Sequence, residues 1–299
     1  MVIVLALDAT GAAPEVLDAQ LAFHLAAGVD AVLVAARHAP EASRPVLAAY
    51  GETGRVHIHD LPSAVELAPR AVAEHAADWV LVGAAGEFWW PRGESLGDVL
   101  AVVPERYAVV QALERRFEPV EPTRPGTPEE RTLRRSLLVE GRREGERPAD
   151  LLRPLFRGEP GLAVDLADPT QRGRRVPLRA WYPIELLRFP DDPDEPDAQT
   201  ALAAGRLVED ARLREALAAL RAARPAGAPG AYALAGLELR VPTIVDDASY
   251  AVECAAVGEV DLVALDAHIR ELELRIAALE AGFWPRVFRL LRRLRRGRR

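Results

Sequence analysis

Short apolar runs alternate with stretches of helical periodicity along the first 113 residues. The apolar runs predict five strands, at 2–7, 29–36, 55–59, 79–83 and 107–113. The stretches between them predict helices at 15–27, 41–51 and 63–77. Strands that alternate with helices form a mostly parallel sheet covered by helices on both faces. The pattern therefore predicts an α/β fold.

The pattern changes after these strands. Residues 118–160 are rich in Pro, Arg and Glu and have little periodicity, which predicts a loop-dominated stretch, and 176–189 return to apolar character. The acidic, proline-rich run DDPDEPD at 191–197 is incompatible with the interior of a helix or strand. We therefore place a boundary there, between a domain at 1–190 and a Pro-rich, partly helical adaptor at 191–258.

Helical spacing returns twice in the C-terminal part of the chain. Residues 199–224 predict a helix within the adaptor. Farther on, apolar residues recur alternately three and four positions apart, at Leu262, Leu265, Ile269, Leu272, Ile276, Leu279 and Phe283. This heptad seam predicts a coiled coil at 259–283, through which copies of the chain would associate along 262–283 as a homo-oligomer. The alternative is a single amphipathic helix that packs on its own domain.

The last segment, 284–299, combines apolar and arginine side chains. On a helix these would form an apolar face and a basic face, which predicts contact with an anionic membrane surface or with a partner protein. The residues expected to make this contact are Trp284, Phe288, Arg289, Arg292 and Arg293. Nucleic acid is the rival partner, but the chain has a net charge of -7 despite its basic end, so its body would repel phosphate.

Composition restricts the chemistry without identifying it. All 38 basic residues are Arg, so the number of arginines carries little functional information. The single cysteine, Cys254, cannot form an internal disulfide, and no Cys/His cluster has zinc-ligand spacing. The N-terminal stretch lacks the basic residues of a signal peptide, and no apolar run reaches the roughly 18 to 20 residues of a membrane span. We expect a cytoplasmic protein without a structural metal.

One motif carries a family resemblance. Residues 79–93 read WVLVGAAGEFWWPRG, a strand followed by an acid, three aromatic residues and Pro-Arg-Gly. This stretch, together with LDAQLAFHLAAGVDAVLV at 17–34 and VPLRAWYPIELLRFP at 176–190, resembles bacterial glycosyltransferases of family 2. The resemblance implies a GT-A-like domain over 1–190, a nucleotide-sugar donor, and a role in surface-polysaccharide or glycoconjugate synthesis near the inner membrane.

The resemblance also shows where the family's chemistry should lie. Family members hold a divalent cation with an Asp-x-Asp pair, but the matching positions here are Ala84 and Gly86, whose side chains cannot ligate a metal. Glu87, from the next acidic position, remains as the candidate catalytic residue. The candidates for substrate binding are Trp89, Trp90 and Arg92, with core packing as the alternative for the two tryptophans.

Other segments that should face the nucleotide lack polar side chains as well. Gly11, Ala12 and Ala13 stand where the family has Arg-Asn/Asp-Glu, and Ala36 stands where it has an Asp. We therefore expect a family 2-like protein that has lost metal-dependent sugar transfer, with Mg²⁺ or Mn²⁺ bound only if a site has been rebuilt. The alternative is a catalytically silent scaffold or binding subunit.

Two further groups of polar residues could supply chemistry. Arg37, His38 and Arg92 could replace the cation in a metal-independent transferase, although exposed loop charges explain them as well. His57 and His59 alternate on a predicted strand and could bind a metal together, but no third or fourth ligand is in register with them.

Overall fold

A computed structural model of the chain describes residues 1–91, 95–105, 107–121, 124, 126–136, 152–164, 166, 184–192 and 197–235. Within these ranges the strands are β1 (Ile3–Asp8), β2 (Ala31–Ala35), β3 (Val56–His59), β4 (Trp79–Ala84), β5 (Glu87–Pro91), β6 (Val109–Arg116), β7 (Leu133–Arg135), β8 (Leu152–Arg157), β9 (Ile184–Arg188) and β10 (Leu207–Glu209). The α-helices are α1 (Pro14–Ala26), α2 (Arg44–Gly51), α3 (Ala68–His75), α4 (Leu96–Ala101), α5 (Ala198–Ala203) and α6 (Arg212–Ala222). Short 3-10 turns at Glu41–Ser43 and Ala64–Leu67 precede α2 and α3.

Eight strands form one sheet in the order β3-β2-β1-β4-β8-β6-β9-β5, and β7 pairs with β10 in a small second sheet. The first four strands in this order are parallel to one another. The remaining strands are joined by three antiparallel pairings and one parallel pairing, between β6 and β9. The protein is therefore an α/β protein with a large, mostly parallel sheet.

Local sequence explains the first βαβ unit. Five of the six residues of β1 are buried, as expected for a strand covered on both faces. Helix α1 begins with Pro14, whose fixed φ and missing amide hydrogen suit the first helical position, and the chain turns at Gly28 with φ +101°. This unit places β2 beside β1, with the carboxyl ends of both strands at the same edge.

Helices cover both faces of the sheet. On one face, α1, α2 and α6 share an apolar cluster that includes Phe23, Tyr50 and Leu217. On the other face, α3 and the 3-10 turn before it pack Leu67 and Ala71 against the sheet.

A network of buried ion pairs connects the small sheet and α6 to the main sheet. Arg212, at the start of α6, pairs with Glu185 of β9 and, at 2.8 Å, with Asp210. Arg115 of β6 also pairs with Glu185, with 3.0 Å between Nε and Oε1, and Arg134 of β7 pairs with Asp210 at 2.8 Å. All five side chains are at most one-tenth exposed. Each charge is therefore removed from water but lies beside an opposite charge.

The structure confirms the five strands and three helices predicted for the first 113 residues, with ends shifted by a few residues. Two later predictions were wrong in detail. The stretch predicted to be loop-dominated contains β7 and β8, and the helix predicted at 199–224 is divided into α5, β10 and α6. The division falls at Gly205, which has φ +68°, and α5 has its own N-cap, where Asp197 accepts from the backbone amides of Gln199 and Thr200.

Several predictions concern residues outside the described ranges. These are the coiled coil at 259–283, the basic segment at 284–299 and the substrate candidate Arg92. The boundary between 190 and 191 stays a prediction, although α6, which follows it, packs in the same apolar cluster as α1. Among the described residues, none of the helices has the length and apolar character needed to cross a bilayer.

Candidate functional site

A cavity of about 200 Å³ lies at the carboxyl ends of β1 and β4. In the sheet, β2 and β3 follow β1 on one side, and β4 lies next to β1 on the other side. The direction in which strands are added therefore reverses between β1 and β4. In open α/β sheets, ligands bind in the crevice where the order reverses, beyond the carboxyl ends of the strands. Topology therefore makes this cavity the candidate site.

The cavity opens because β4 and β8 separate. They pair only at Trp79 with Arg157 and at Val80 with Phe156. Beyond Val80 the end of β4 is not paired with β8, and Arg153 and Pro154 line the cavity opposite it. Pro154 has no amide hydrogen to offer a neighbouring strand, which suits a separated edge.

Four polar side chains line the cavity: Asp8, Ser63, Glu87 and Arg153. Asp8 ends β1 and accepts a hydrogen bond from the backbone amide of Thr10 at 2.9 Å. Ser63 accepts from the backbone amide of Val65 at 3.2 Å. Arg153 donates from Nε to Glu114, at 2.7 Å. The site therefore combines two carboxylates, one hydroxyl and one guanidinium.

The segment from Ala84 to Glu87, where the resemblance places the metal-binding acids, is a tight turn. Ala84 ends β4, is exposed and lines the cavity. Gly86 is buried with φ +78°, and its carbonyl accepts from the backbone amide of Phe189 at 3.0 Å. A Cβ at this position would lie 3.1 Å from the carbonyl oxygen of Phe189. Both the positive φ and this close approach favour glycine.

Glu87, the candidate catalytic residue, closes the same turn. Its Oε2 accepts from the backbone amide of Ala84 at 2.9 Å, and its Oε1 lies 3.7 Å from Nε of Arg188. Burial raises the pKa of the Glu87 carboxyl, against the opposing effects of the Ala84 amide, Arg153 and Arg188. The carboxyl group thus already has partners inside the protein.

Helix α1 holds the turn from the core side. Gln20 is fully buried, and its Nε2 donates to the carbonyls of Ala84 and Glu87, each at 2.7 Å. Its Oε1 accepts from the amide of Gly86 at 3.2 Å. One side-chain amide therefore satisfies three backbone groups of the turn, which a polypeptide segment in this conformation could not pair by itself.

His24, one helical turn after Gln20, holds strand β5, which follows the Ala84–Glu87 turn. Its Nε2 accepts from the backbone amide of Trp89 at 3.0 Å, so Nδ1 carries the hydrogen and donates to the carbonyl of Gln20 at 2.7 Å. Burial lowers the pKa of His24 to about 4, because the charged imidazolium would lose its hydration. The bond from the Trp89 amide needs the neutral ring, because a protonated Nε2 cannot accept, so the residue is a neutral structural bridge between α1 and β5.

The other residues predicted for the site lie elsewhere. Trp89 and Trp90 are 0% and 2% exposed and pack in the core, which leaves no ring face for a sugar. Their role in substrate binding stays a prediction that this burial does not support.

The remaining cationic and histidine candidates also lie apart from the cavity. Arg37 pairs with Asp60 at 3.3 Å on the surface, and His38 is exposed. The ring of His57 lies 4.6 Å from that of His75 on α3, measured between centroids. None of these residues lines the cavity.

The residues present do not fit the Mg²⁺ or Mn²⁺ that the resemblance implies. Ala84 offers a methyl group, Gly86 offers no side chain, and Glu87 is already bonded to the turn. Throughout the described ranges, no three His, Cys, Asp or Glu side chains are grouped so that they could hold an ion. We therefore derive no chemical step that passes through a metal.

Sequence reasoning missed five residues that form or support this site. Asp8 carried a usable signal, because an acid at the end of a strand points to the binding edge of a parallel sheet. Ser63 carried a weaker signal, as a helix N-cap. Gln20 and His24 are four positions apart in α1, and each stands between two apolar residues. This spacing indicates that both polar side chains lie on the buried face of the helix and need hydrogen-bond partners there. Arg153 carried none, because its strand was predicted to be loop.

Comparison of the chain with the models of known protein families and with curated proteins gave no match to either.

Proposed function

We propose that this chain is a family 2-like glycosyltransferase domain in which sugar transfer does not depend on Mg²⁺ or Mn²⁺. The proposal rests on the resemblance in residues 1–190 and on one structural observation. Where a metal site would need two acids, the chain has a turn built from Ala84 and Gly86, with Glu87 bonded back to the Ala84 amide. The role belongs to bacterial surface-polysaccharide or glycoconjugate synthesis, as the resemblance implies.

The charges of the described residues near the cavity oppose a nucleotide-sugar donor that arrives without a cation, so they favour the second candidate function given below. Asp8, Glu87 and Glu114 supply three acids, and Arg153 and Arg188 supply two bases. This excess of negative charge opposes a nucleotide diphosphate that arrives without a cation. Two like charges about 4 Å apart repel by about 4 kcal/mol at an effective dielectric constant of 20. A diphosphate would therefore bind poorly here.

The second candidate function is a catalytically silent scaffold or binding subunit. The hydrogen bonds of Gln20 and His24 favour this second function. They join α1 to the segment where a metal site would lie, so the polar groups there already stabilise the fold. In this proposal the subunit forms homo-oligomers through 262–283 and contacts an anionic membrane surface through 284–299, at the cytoplasmic side.

Titration calorimetry with UDP-, GDP- and TDP-sugars, each with and without Mn²⁺, tests the proposal. We expect no increase in affinity with Mn²⁺ for any of them. Donor turnover in a metal-free assay would favour the transferase over the silent scaffold, and absence of turnover in all conditions would favour the scaffold. Tighter binding or release of nucleoside diphosphate only with Mn²⁺ would refute both.

Two variants test the proposed partners. Replacement of Ile269 and Ile276 by Asp should lower the mass measured by light scattering, because both positions belong to the heptad seam. A chain that ends at Ala281 should sediment less with anionic liposomes than the full chain. An unchanged mass would remove the oligomer, and equal sedimentation would remove the membrane contact.

A further inference from the structure

We propose that the cavity between β1, β4 and β8 binds a compact, uncharged, polyhydroxylated ligand, without a nucleotide or a metal ion. This inference rests on the second candidate function, the binding subunit, because it assigns a ligand without a nucleotide to the same site. It differs from what the resemblance implies, since the ligand carries no diphosphate. The chain would hold such a molecule by hydrogen bonds alone.

The polar groups require a ligand that both donates and accepts hydrogen bonds. Asp8 uses Oδ1 for the amide of Thr10, and an ionised carboxylate retains further acceptor capacity. Arg153 uses Nε for Glu114, and a guanidinium has four more N–H donors. Ser63 accepts from Val65, and a hydroxyl can also donate. Hydroxyl groups on a ligand can pair with all three kinds of partner.

The apolar part of the lining suits the other surface of such a ligand. Val65, Val82, Pro154 and Leu166 contribute to the wall beside the polar groups. A cyclic polyol has C–H surfaces between its hydroxyls, and these can pack against aliphatic side chains while the hydroxyls meet the polar groups. A wall made only of charged groups would instead favour an ion.

Size and charge limit the occupant. Sites for drug-sized ligands usually measure about 300–1,000 Å³, whereas this cavity measures about 200 Å³. The space is therefore suited to a single ring rather than to a base, a ribose and a diphosphate together. Of the described residues that line the cavity, two are acids and one is an arginine, which disfavours an anionic ligand.

Ala84 provides a way to close the cavity without touching its polar groups. Its side chain is exposed and lines the cavity, while its backbone amide and carbonyl hold the turn. Ala84→Leu should therefore fill space in the cavity and leave the turn bonded. Ala42→Leu is the matched control, because Ala42 is also exposed but does not line the cavity.

Saturation-transfer NMR and calorimetry on the full chain test the inference with glucose, galactose, mannose and myo-inositol as probes, and with pyrophosphate and glycine as charged comparisons. For a ligand of about a dozen heavy atoms we expect a dissociation constant on the order of 1–10 mM for at least one neutral probe. Ala84→Leu should weaken it at least tenfold, and Ala42→Leu should leave it unchanged. Thermal melting of each variant shows that the protein remains folded.

Three results would overturn the inference. The first is that no neutral probe binds at 50 mM, and the second is that both variants bind the probes as the parent protein does. The third is that pyrophosphate or glycine binds more tightly than every neutral probe. Each of these leaves the proposed function standing, because that is tested separately with nucleotide sugars and Mn²⁺. Binding of a nucleotide sugar that requires Mn²⁺ would instead refute the proposed function.

Discussion

Gln20→Leu should destabilise the protein strongly although the two side chains are similar in size. The glutamine is fully buried and bonds to the carbonyls of Ala84 and Glu87 and to the amide of Gly86. Leucine cannot replace any of these bonds. The turn at the end of β4 would keep its backbone conformation only with unpaired polar groups, or would rearrange to pair them.

The magnitude follows from the burial of each group. A buried backbone group left without a partner costs about 1–3 kcal/mol, and the Gly86 amide is buried. The two carbonyls are partly buried, so water can recover part of their bonding, at a remaining cost of about 0.5–1 kcal/mol each. The sum predicts a loss of about 2–5 kcal/mol in the free energy of unfolding.

Urea denaturation followed by circular dichroism measures this loss, and the chain offers a close control. Gln111 on β6 is 3% exposed, but its Oε1 has no hydrogen-bond partner among the described residues. Gln111→Leu should therefore cost less than about 1 kcal/mol or increase stability. If the two variants lose equal stability, the bonds of Gln20 to the turn do not have the importance assigned to them here.

Three further predictions concern the core. His24 has a pKa of about 4 in the folded protein and 6.5 when unfolded, so the unfolded state binds the proton first. The free energy of unfolding should therefore be full above pH 6.5 and fall by about 2 kcal/mol on acidification to pH 5. Urea titrations at pH 7.5 and 5 should show a smaller fall for His24→Gln than for the parent protein. Arg212→Met leaves Glu185 with one fewer cation in a buried network, and denaturant unfolding should show a loss of about 3–5 kcal/mol. Gly158→Ala places a methyl group where the ideal Cβ would lie 1.7 Å from the carbonyl oxygen of Ala77, and calorimetric melting should show a loss of about 2–3 kcal/mol or a failure to fold.

Four of the strands predicted for the first half of the fold, β1, β2, β4 and β6, were recognisable because nearly all of their residues are buried. Strand β1 is a short apolar run bounded by a turn, and in an α/β chain such a run is typical of a strand buried in a parallel sheet. Strand β8 could not be predicted in the same way. Its six residues, LRPLFR, include a proline and two arginines, and Arg157 lies over the ring of Trp79, with its guanidinium carbon 4.4 Å from the ring centroid. Tertiary contacts explain this strand, and no local pattern indicates them.

The candidate site shows the same division. The family resemblance identified Ala84 and Gly86 as the positions that lack the metal-binding acids, since the flanking strand and aromatic residues are distinctive, but it did not predict the turn there. It could not show that Gln20 and His24 hold this turn, because those contacts join residues more than 60 positions apart. It also could not show that Trp89 lies in the core, since an aromatic residue after a core strand packs more often than it binds but can do either.

The direct test of the central claim is whether the site binds Mn²⁺. Paramagnetic enhancement of water-proton relaxation reports bound Mn²⁺, and it should be measured for the protein alone and with each nucleotide sugar. The turn built from Ala84, Gly86 and the bonded Glu87 predicts no enhancement beyond that of Mn²⁺ with the nucleotide sugar alone. A saturable enhancement with one Mn²⁺ per chain, abolished by Glu87→Gln, would contradict the account.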